Sequence, residues 1–213
     1  MGLFRTGPDL SSGWRADGVD VLVLRELVGT GNDRSCWRHP GNPAWCVKVA
    51  KPEQERPQNE IDAHYARHLA RRNIRGPHMP EVHGWVQTDR GPGLVFDLIQ
   101  EPDGTPSPPL LKAVLSGRVS TDQARELIDE AFGWLVEQRV LLVDYGIDNL
   151  LIQTRSDGRR FLVFVDGLGA RKFSLRYWFH RRFWPKAVWK AQEFRLKTLA
   201  LLDEALAHQA PKR

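Results

Sequence analysis

Short apolar runs, broken by glycine, proline and asparagine, mark the first hundred residues of the chain. Their β-branched content and their turn-forming boundaries predict five strands. The predicted strands cover residues 19–28, 35–37, 44–49, 81–87 and 93–98. After the third of them, Ile61, Tyr65 and Leu69 recur at intervals of four, which predicts a helix over 58–72. The first part of the chain is therefore predicted to be a sheet with one inserted helix.

The periodicity changes in the second half of the chain. The stretch STDQ at 120–123 resembles a capping box, and apolar residues then recur at i, i+3, i+4 and i+7 up to Val136. We predict a helix that ends near Gln138, followed by a hairpin built from the apolar runs 150–152 and 161–165. A β-rich first part and an α-rich second part make the predicted fold class α+β.

A segment rich in turn-forming residues, EPDGTPSPP at 101–109, predicts a connector between two lobes. On this basis we divide the chain into five segments. They are a leader (1–18), an N-lobe (19–101), a connector (102–109), a C-lobe (110–169) and a basic-aromatic helical segment (170–213). The prediction is a small bilobal protein in which the N-lobe is mainly sheet and the C-lobe mainly helix.

Composition narrows the class of protein. The 213 residues are 41% hydrophobic and 27% charged, which is typical of a folded protein with a real core. No apolar run is long enough to predict a transmembrane helix, and the first residues lack the apolar centre of a secretory signal. Cys36 and Cys46 could face each other across a hairpin, but two cysteines make no disulfide framework, so we expect a reduced pair in a cytoplasmic protein.

The net charge of +5 comes from one segment. Residues 171–197 contain nine Lys and Arg and one acid, and they interleave these cations with aromatic rings. Three interpretations stay open: the aromatics complete a core, the segment binds an anionic membrane or glycolipid surface at the inner membrane, or it stacks on single-stranded nucleic acid. Of the two binding interpretations, the composition favours the lipid surface over nucleic acid.

Two pieces of the N-lobe have residues suited to phosphate binding. The turn GTGNDRS at 29–35 could lay backbone N–H groups over phosphates, although an ordinary hairpin turn explains the same residues. Lys48 lies between two valines of a predicted strand, so alternation puts it on the opposite face from both. That face could be exposed to solvent, or Lys48 could reach a phosphate while Glu60 of the next helix holds it.

The stretch LVDYGIDNLLI at 142–152 keeps two carboxylates and an amide between apolar runs. Asp144 and Asn149 lie on this loop, and Asp166 follows the next hairpin. An amide oxygen, a carboxylate and nucleotide phosphates would suffice for Mg²⁺, and a second carboxylate could accept a proton from a hydroxyl. Turn chemistry alone explains the same residues. Asp148 is predicted to be a solvated turn residue.

The order of these pieces resembles the protein-kinase-like fold: glycine turn, strand Lys, helix Glu, a loop with Asp and Asn, and a strand-end Asp-Gly. A closer resemblance is to the YrbL family, small bacterial kinase-like proteins associated with the PhoP regulatory network. It is carried by LVGTGNDRSCWRHPGNPAWCVKVA, the Asn59-Glu60 pair, GLVFDLIQEPDG and VDYGIDNLLI, and it extends from about residue 27 to 169. The resemblance implies a minimal bilobal kinase-like fold that uses ATP and Mg²⁺.

The resemblance also implies residue roles on the nucleotide. Gly29 and Gly31 would cover the phosphates, and Lys48 would contact the α and β phosphates. Glu60 would hold Lys48. Glu101 or its neighbours would form the hinge near adenine.

The remaining roles concern the reaction. Asp144 would be the base that accepts the proton of the acceptor hydroxyl, while Asn149 and Asp166 would bind Mg²⁺. The implied activity is an Mg-ATP-dependent phosphotransferase acting on a hydroxyl acceptor, with an envelope sugar or glycolipid as the candidate class. The alternative is a pseudokinase, a regulatory binding module in PhoP-type envelope-stress signalling.

Several departures from the kinase pattern motivate that alternative. Leu142-Val143 replaces the usual His-Arg before the catalytic Asp, and Gly146 stands where Ser/Thr protein kinases often have Lys. Arg34 replaces the third glycine of the phosphate loop, and Gly167 follows Asp166 in place of Phe. The missing Arg argues against activation by a phosphorylated loop, and the missing Lys weakens the case for a protein substrate.

Overall fold

The structure is a computed structural model that describes residues 14–16, 19–52, 57–143, 146–169 and 180–209. It contains nine strands, four α-helices and one short 3₁₀ helix among these residues. The strands are β1 (Trp14–Ala16), β2 (Val19–Leu22), β3 (Leu27–Thr30), β4 (Arg34–Arg38), β5 (Trp45–Ala50), β6 (Val82–Thr88), β7 (Gly91–Asp97), β8 (Leu150–Thr154) and β9 (Arg160–Phe164). The helices are α1 (Gln58–Arg71), α2 (Leu110–Leu115), α3 (Thr121–Glu137), the 3₁₀ turn Ile147–Asn149 and α4 (His180–Gln209). The α+β class is confirmed.

The chain forms two compact units. Among the described residues, the first comprises those up to Asn59 together with Val82–Leu98, and the second comprises Glu60–Glu81 and those from Ile99 onward. The first unit is a seven-stranded sheet in the order β1-β2-β6-β7-β5-β4-β3. Only the β2–β6 pair is parallel among these strands. The valine-rich face of β5 forms the centre of this unit's core, where Val47 and Val49 pack with Leu24 and Val95.

One predicted strand is wrong. The apolar run at 19–28 is two strands, because the chain changes its pairing partner between Leu22 and Leu27. β2 pairs with β6, whereas β3 pairs with β4. Asp89 fixes the change of direction: its backbone N–H donates to the Leu22 carbonyl, and its carboxylate accepts from the Leu24 N–H at 2.9 Å. β1 is a further strand, within the segment predicted as leader.

The second unit is mainly helical, and its core is built on α3. The predicted cap is confirmed: the Ser120 hydroxyl accepts a hydrogen bond from the Gln123 N–H at 3.2 Å. The periodic apolar residues of α3 are buried as far as Leu135, and Val136 is half-buried. Phe132 meets Phe164 of β9 edge to face, with ring centroids 5.2 Å apart. Phe194 and Leu202 bring α4 into the same core. The predicted hairpin is β8–β9, paired antiparallel from Leu150↔Phe164 to Thr154↔Arg160.

His78 is a titratable group inside this second core. Its side chain is 1% exposed, and its Nδ1 lies 2.9 Å from the Leu162 carbonyl oxygen, so the proton belongs on Nδ1. Burial lowers the pKa of His78, and the charge of Arg155 adds to this, while the hydrogen bond to Leu162 and the carboxylate of Glu130 oppose it. The folded state therefore favours the neutral ring.

We expect the free energy of unfolding to fall when the pH is lowered through about 6.5, the pKa of an unperturbed histidine. The lowered pKa of His78 means that the unfolded chain takes up a proton before the folded chain does. This contribution to stability is complete above the unfolded pKa and is lost toward lower pH. Urea unfolding at pH 7.5 and 5.5 measures it.

The matched variant is His78→Asn, whose amide nitrogen can donate to the Leu162 carbonyl but does not titrate. It should be less stable at pH 7.5 because the ring is lost from the core, yet its stability should change less between the two pH values. An unchanged pH dependence would contradict the assignment. His39 of the first unit is also buried, and burial lowers its pKa. The stability of His78→Asn should therefore still depend on pH to a smaller extent.

None of the helices in the described part of the chain is both long and apolar enough to span a bilayer.

Candidate functional site

The predicted glycine turn is a tight hairpin between β3 and β4. The Gly31 N–H donates to the Arg34 carbonyl at 2.9 Å, and the Lys51 Nζ donates to the Gly31 carbonyl at 2.6 Å. Gly29 and Gly31 are both exposed. No atom lies within 4 Å of a Cβ built on Gly29, and the nearest to Gly31 is the Arg34 carbonyl oxygen at 3.8 Å. Neither glycine is needed for packing.

We expect Gly29→Ala to leave the stability of the protein within about 0.5 kcal/mol of wild type, as for surface substitutions away from special features. A nucleotide phosphate approached by this backbone would be sensitive to the added methyl group. Weaker nucleotide binding at unchanged stability would therefore place Gly29 beside the ligand. The measurement is nucleotide affinity by calorimetry, with chemical unfolding of the same samples. Unchanged affinity would contradict the predicted role of Gly29.

Lys48 occupies the face of β5 that sequence alternation predicts. Val47 and Val49 are buried in the core on the other face, at 0% and 3% exposure. Lys48 is half-buried, and its Nζ lies 4.5 Å from the centre of the Phe96 ring, a cation–π contact. The core interactions of the two valines thus fix the direction in which the ammonium group emerges.

Asn59 is a site residue that sequence reasoning missed. It is buried in the first turn of α1, and its amide nitrogen donates to the Lys48 carbonyl at 2.8 Å. Its amide oxygen accepts from the Arg34 guanidinium at 3.0 Å. Arg34 is therefore a buried residue of β4 that is hydrogen-bonded to Asn59. The Asn59-Glu60 pair is part of the family resemblance in the sequence. The predicted role belongs to the carboxylate of Glu60, and no role is predicted for the amide of Asn59.

Glu60 lies on the exposed side of α1. The neighbouring Asn59 is the helix residue that bonds to the Lys48 backbone. The role of Glu60 as the carboxylate that holds Lys48 stays a prediction.

Glu101 is buried, and its carboxylate and backbone groups have hydrogen-bond partners within the second unit. Its carboxylate accepts from the Ser107 hydroxyl at 2.6 Å, the Arg118 guanidinium at 2.6 Å and the Thr154 N–H at 3.2 Å. Its backbone N–H and carbonyl bond to the turn that follows it, at Thr105 and Gly104. The role of Glu101 or its neighbours as the hinge near adenine stays a prediction.

Asn149 and Asp166 come together at one end of the β8–β9 hairpin. The Val165 N–H donates to the Asn149 carbonyl at 3.0 Å, which extends the hairpin beyond its last strand pair, Leu150↔Phe164. Both side chains are half-buried. Glu101 contacts Thr154, at the opposite end of β8. The hairpin therefore separates the predicted metal ligands from the predicted hinge by the length of one strand.

A second pair of segments joins the predicted catalytic loop to the chain after Asp166. The Val143 N–H donates to the Gly167 carbonyl at 2.9 Å, and the Gly169 N–H donates to the Leu141 carbonyl at 2.8 Å. Asp144 follows Val143 directly and lies outside the described residues. Val143, which precedes Asp144, is thus bonded to Gly167, which follows Asp166. Asn149, which follows Asp144 on the loop, is bonded to Val165, which precedes Asp166. Asp148 is exposed, as predicted for a solvated turn residue.

Tyr65 supports this pair of segments from α1. It is buried, and its hydroxyl accepts a hydrogen bond from the Leu141 N–H at 2.8 Å. Its ring packs so closely on Gly169 that a Cβ there would lie 2.9 Å from the ring. One helix side chain therefore holds the chain that leads into Asp144 and the chain that leads out of Asp166.

The donor set at the hairpin end suits a hard cation that keeps most of its water. An amide oxygen and one carboxylate are ligands of the kind that Mg²⁺ takes from a protein when phosphates supply the rest. Within the described ranges, no three His, Cys, Asp or Glu side chains gather into a metal-binding group. The role of Asn149 and Asp166 as ligands of Mg²⁺ stays a prediction.

The basic-aromatic segment contributes both to the core and to the surface. Of its aromatic rings, the structure describes Trp189 and Phe194. Phe194 is buried between Lys190 and Lys197, whose ammonium groups lie 5.6 and 5.7 Å from its ring centre. Trp189 is 61% exposed, and so is Leu196 one heptad later. The core interpretation therefore holds for Phe194, while a lipid or nucleic-acid surface stays a prediction for the segment.

Comparisons with known proteins point to one family. The model of the family called PhoP regulatory network protein YrbL matches residues 21–197. The chain is 31% identical over 152 residues to a protein of Escherichia coli (strain K12) named "Uncharacterized protein YrbL", covering 70% of this chain and 72% of that protein. A protein of the same name from Shigella flexneri matches with the same identity and coverage.

Proposed function

The chain belongs to the family of the PhoP regulatory network protein YrbL, and on that premise we propose that it is an Mg-ATP-dependent phosphotransferase with a kinase-like bilobal fold. The acceptor would be a hydroxyl group. An envelope sugar or glycolipid is the class we propose for it, because Gly146 stands where Ser/Thr protein kinases often have a Lys, which weakens the case for a protein substrate.

One observation carries the proposal. The 3.0 Å bond from the Val165 N–H to the Asn149 carbonyl brings an amide and a carboxylate to the same end of a hairpin. The hydrogen bond from the Val143 N–H to the Gly167 carbonyl joins the residue before Asp144 to the residue after Asp166. A phosphotransferase needs this combination of metal ligands and a base, because its catalysis is almost entirely positioning and charge stabilisation.

Each residue would then have a separate task. Asn149 and Asp166 would hold Mg²⁺, which neutralises phosphate charge when it is bound. Lys48 would pair with phosphate oxygens, and the bond from Asn59 to the Lys48 carbonyl would keep its strand position constant. Asp144 would accept the proton of the acceptor hydroxyl as the new P–O bond forms.

A pseudokinase is the second candidate, and the glycine turn is the observation that favours it. The Gly31 N–H and carbonyl are both used within the protein, by Arg34 and Lys51. A turn whose backbone groups are already bonded offers fewer donors to a phosphate. Such a protein could bind a nucleotide or a regulatory partner without transferring phosphate.

A nucleotide titration with a chemical readout separates the two candidates. Mg-ATP at 100-fold excess over its dissociation constant should stabilise the folded protein by about 2.7 kcal/mol, and Lys48→Met should reduce this stabilisation. Transfer from radiolabelled ATP to an envelope extract or to water would then support the phosphotransferase. Binding without hydrolysis or transfer would support the pseudokinase. No stabilisation by any nucleotide with Mg²⁺ would contradict the nucleotide site.

A further inference from the structure

Cys36 and Cys46 are neighbours on the sheet face that carries Lys48. The antiparallel register of β4 and β5 pairs Cys36 with Lys48 and Arg38 with Cys46. Side chains two residues apart in a strand share a face, so Cys36 and Cys46 lie diagonally across the two strands on the same side. Both thiols are free, and each is the largest cause of the shift in the pKa of the other.

The surroundings of Cys36 favour its thiolate. Lys48 is its direct cross-strand partner, and Arg34 precedes it by two residues on the same face. The hydrogen bond from Cys46 is the largest cause that lowers the pKa of Cys36 to about 7, and the charges of Lys48 and Arg34 add to it against the effect of burial. A thiolate near neutral pH is the reactive form of cysteine.

The two thiols differ in exposure and in pKa, as a cysteine that reacts with peroxide differs from the cysteine that then forms the disulfide with it. Cys36 is partly exposed, whereas Cys46 is 3% exposed and its Sγ lies 3.7 Å from the Asp97 carbonyl oxygen. The Cys36 hydrogen bond, burial and the negative charges of Cys36 and Asp97 raise the pKa of Cys46. A peroxide can therefore reach Cys36 first, while Cys46 waits as an unreactive thiol at the diagonal position of the neighbouring strand.

We propose that Cys36 and Cys46 are a reversible oxidation site at which hydrogen peroxide oxidises the two thiols to a disulfide that weakens nucleotide binding. In the first step, the Cys36 thiol loses its proton, and the thiolate attacks one oxygen of hydrogen peroxide and forms the S–O bond of a sulfenic acid. The O–O bond breaks, and the hydroxide that leaves combines with the released proton to give water. The sulfur of Cys46 then attacks the Cys36 sulfenic acid, the S–O bond breaks, and the second hydroxide leaves as water with the Cys46 proton. The two electrons lost by the thiols reduce the peroxide.

The consequence for binding rests on the proposed function. Bonding the two sulfurs at about 2.05 Å draws β4 and β5 together along one diagonal. Lys48 is opposite Cys36 and two residues after Cys46, so it lies directly beside the new bond. Its backbone carbonyl also accepts a hydrogen bond from the Asn59 amide. We expect the apparent dissociation constant for Mg-ATP to rise by at least about tenfold, which corresponds to 1.4 kcal/mol.

Mass spectrometry of the full chain tests the site itself. After hydrogen peroxide, the wild type should lose the mass of two hydrogen atoms, and non-reducing peptide maps should join the peptides of Cys36 and Cys46. Dithiothreitol should restore both. Cys46→Ser should stop at a Cys36 sulfenic acid that dimedone traps, whereas Cys36→Ser should leave Cys46 unmodified. Separate oxygen additions on the wild type, with no joined peptide, would overturn the disulfide.

A nucleotide titration on the same samples tests the consequence. Reduced wild type and peroxide-treated Cys36→Ser should bind Mg-ATP alike, and oxidised wild type should bind more weakly until dithiothreitol is added. Full binding by the joined, oxidised protein would overturn the effect on the nucleotide. Absence of binding by the reduced wild type would defeat the proposed function and with it the consequence, while the peptide map still decides whether the oxidation site exists.

Discussion

Asp144→Asn is expected to lower the rate of phosphate transfer by roughly a hundred- to ten-thousand-fold, the range that general base catalysis supplies. An amide has nearly the shape of a carboxylate but cannot accept the proton of the acceptor hydroxyl. The metal ligands proposed here, Asn149 and Asp166, are unchanged, so stabilisation by Mg-ATP should persist. Single-turnover transfer and nucleotide titration of the same preparation measure the two effects separately.

The chain offers a matched control on the same loop. Asp148 is exposed four residues after Asp144, and Asp148→Asn removes the same charge. It should retain transfer at close to the wild-type rate, since no role in metal binding or proton transfer is proposed for it. Wild-type transfer by Asp144→Asn would remove Asp144 from the role of base. Equal losses in both variants would mean that the loop contributes only its charge.

Gly169→Ala is expected to destabilise the protein by about 2–5 kcal/mol, combining backbone strain and overpacking. Gly169 has a φ of +95°, and a Cβ there would lie 2.9 to 3.2 Å from three atoms of Tyr65. Tyr65 is buried and bonded to the Leu141 N–H, so it has little room to move away. Equilibrium unfolding in urea, with the slope checked against wild type, measures the loss.

Two other glycines separate the effect of backbone strain on stability from the effect of overpacking. Gly158 has a φ of +79° but open space around a Cβ, so Gly158→Ala should cost only the strain. Gly133 lies within α3 with open space, and Gly133→Ala should stabilise the protein by about 0.5–1 kcal/mol. Adding Tyr65→Leu to Gly169→Ala should recover part of the loss relative to the sum of the single changes. Strict additivity would contradict the packing argument.

Local patterns predict most of the regular structure. α3 follows from a capping residue and a continuous 3.6-residue periodicity, both of which are properties of neighbouring residues. The run at 19–28 is predicted as one strand because its apolar residues are continuous. It is two strands, since β2 pairs with β6 and β3 pairs with β4. That change depends on Asp89, some sixty-five positions away from its partner Leu24, and nothing local indicates it.

For the candidate site residues too, local patterns predict some positions, whereas others depend on contacts that are distant in sequence. Asn149, Asp166 and Lys48 attract notice because polar groups in apolar surroundings are unusual, and their positions on a hairpin end and a strand follow from turn and alternation rules. Asn59 and Tyr65 do not stand out, because a buried amide and a buried ring on a helix are ordinary. Their importance comes from partners distant in sequence, Arg34 for one and Leu141 for the other.

The interrupted course of the chain through the two units affects how the protein is made. The first sheet is complete once Leu98 has left the ribosome, whereas the core of the second unit needs Tyr65 and Leu69 from before that point and Leu202 from near the end. At roughly 5–20 residues per second, the hundred or so residues in between take on the order of ten seconds to synthesise. During that time α1 has no finished core to cover its apolar side, so this side stays open to water until the second unit is complete.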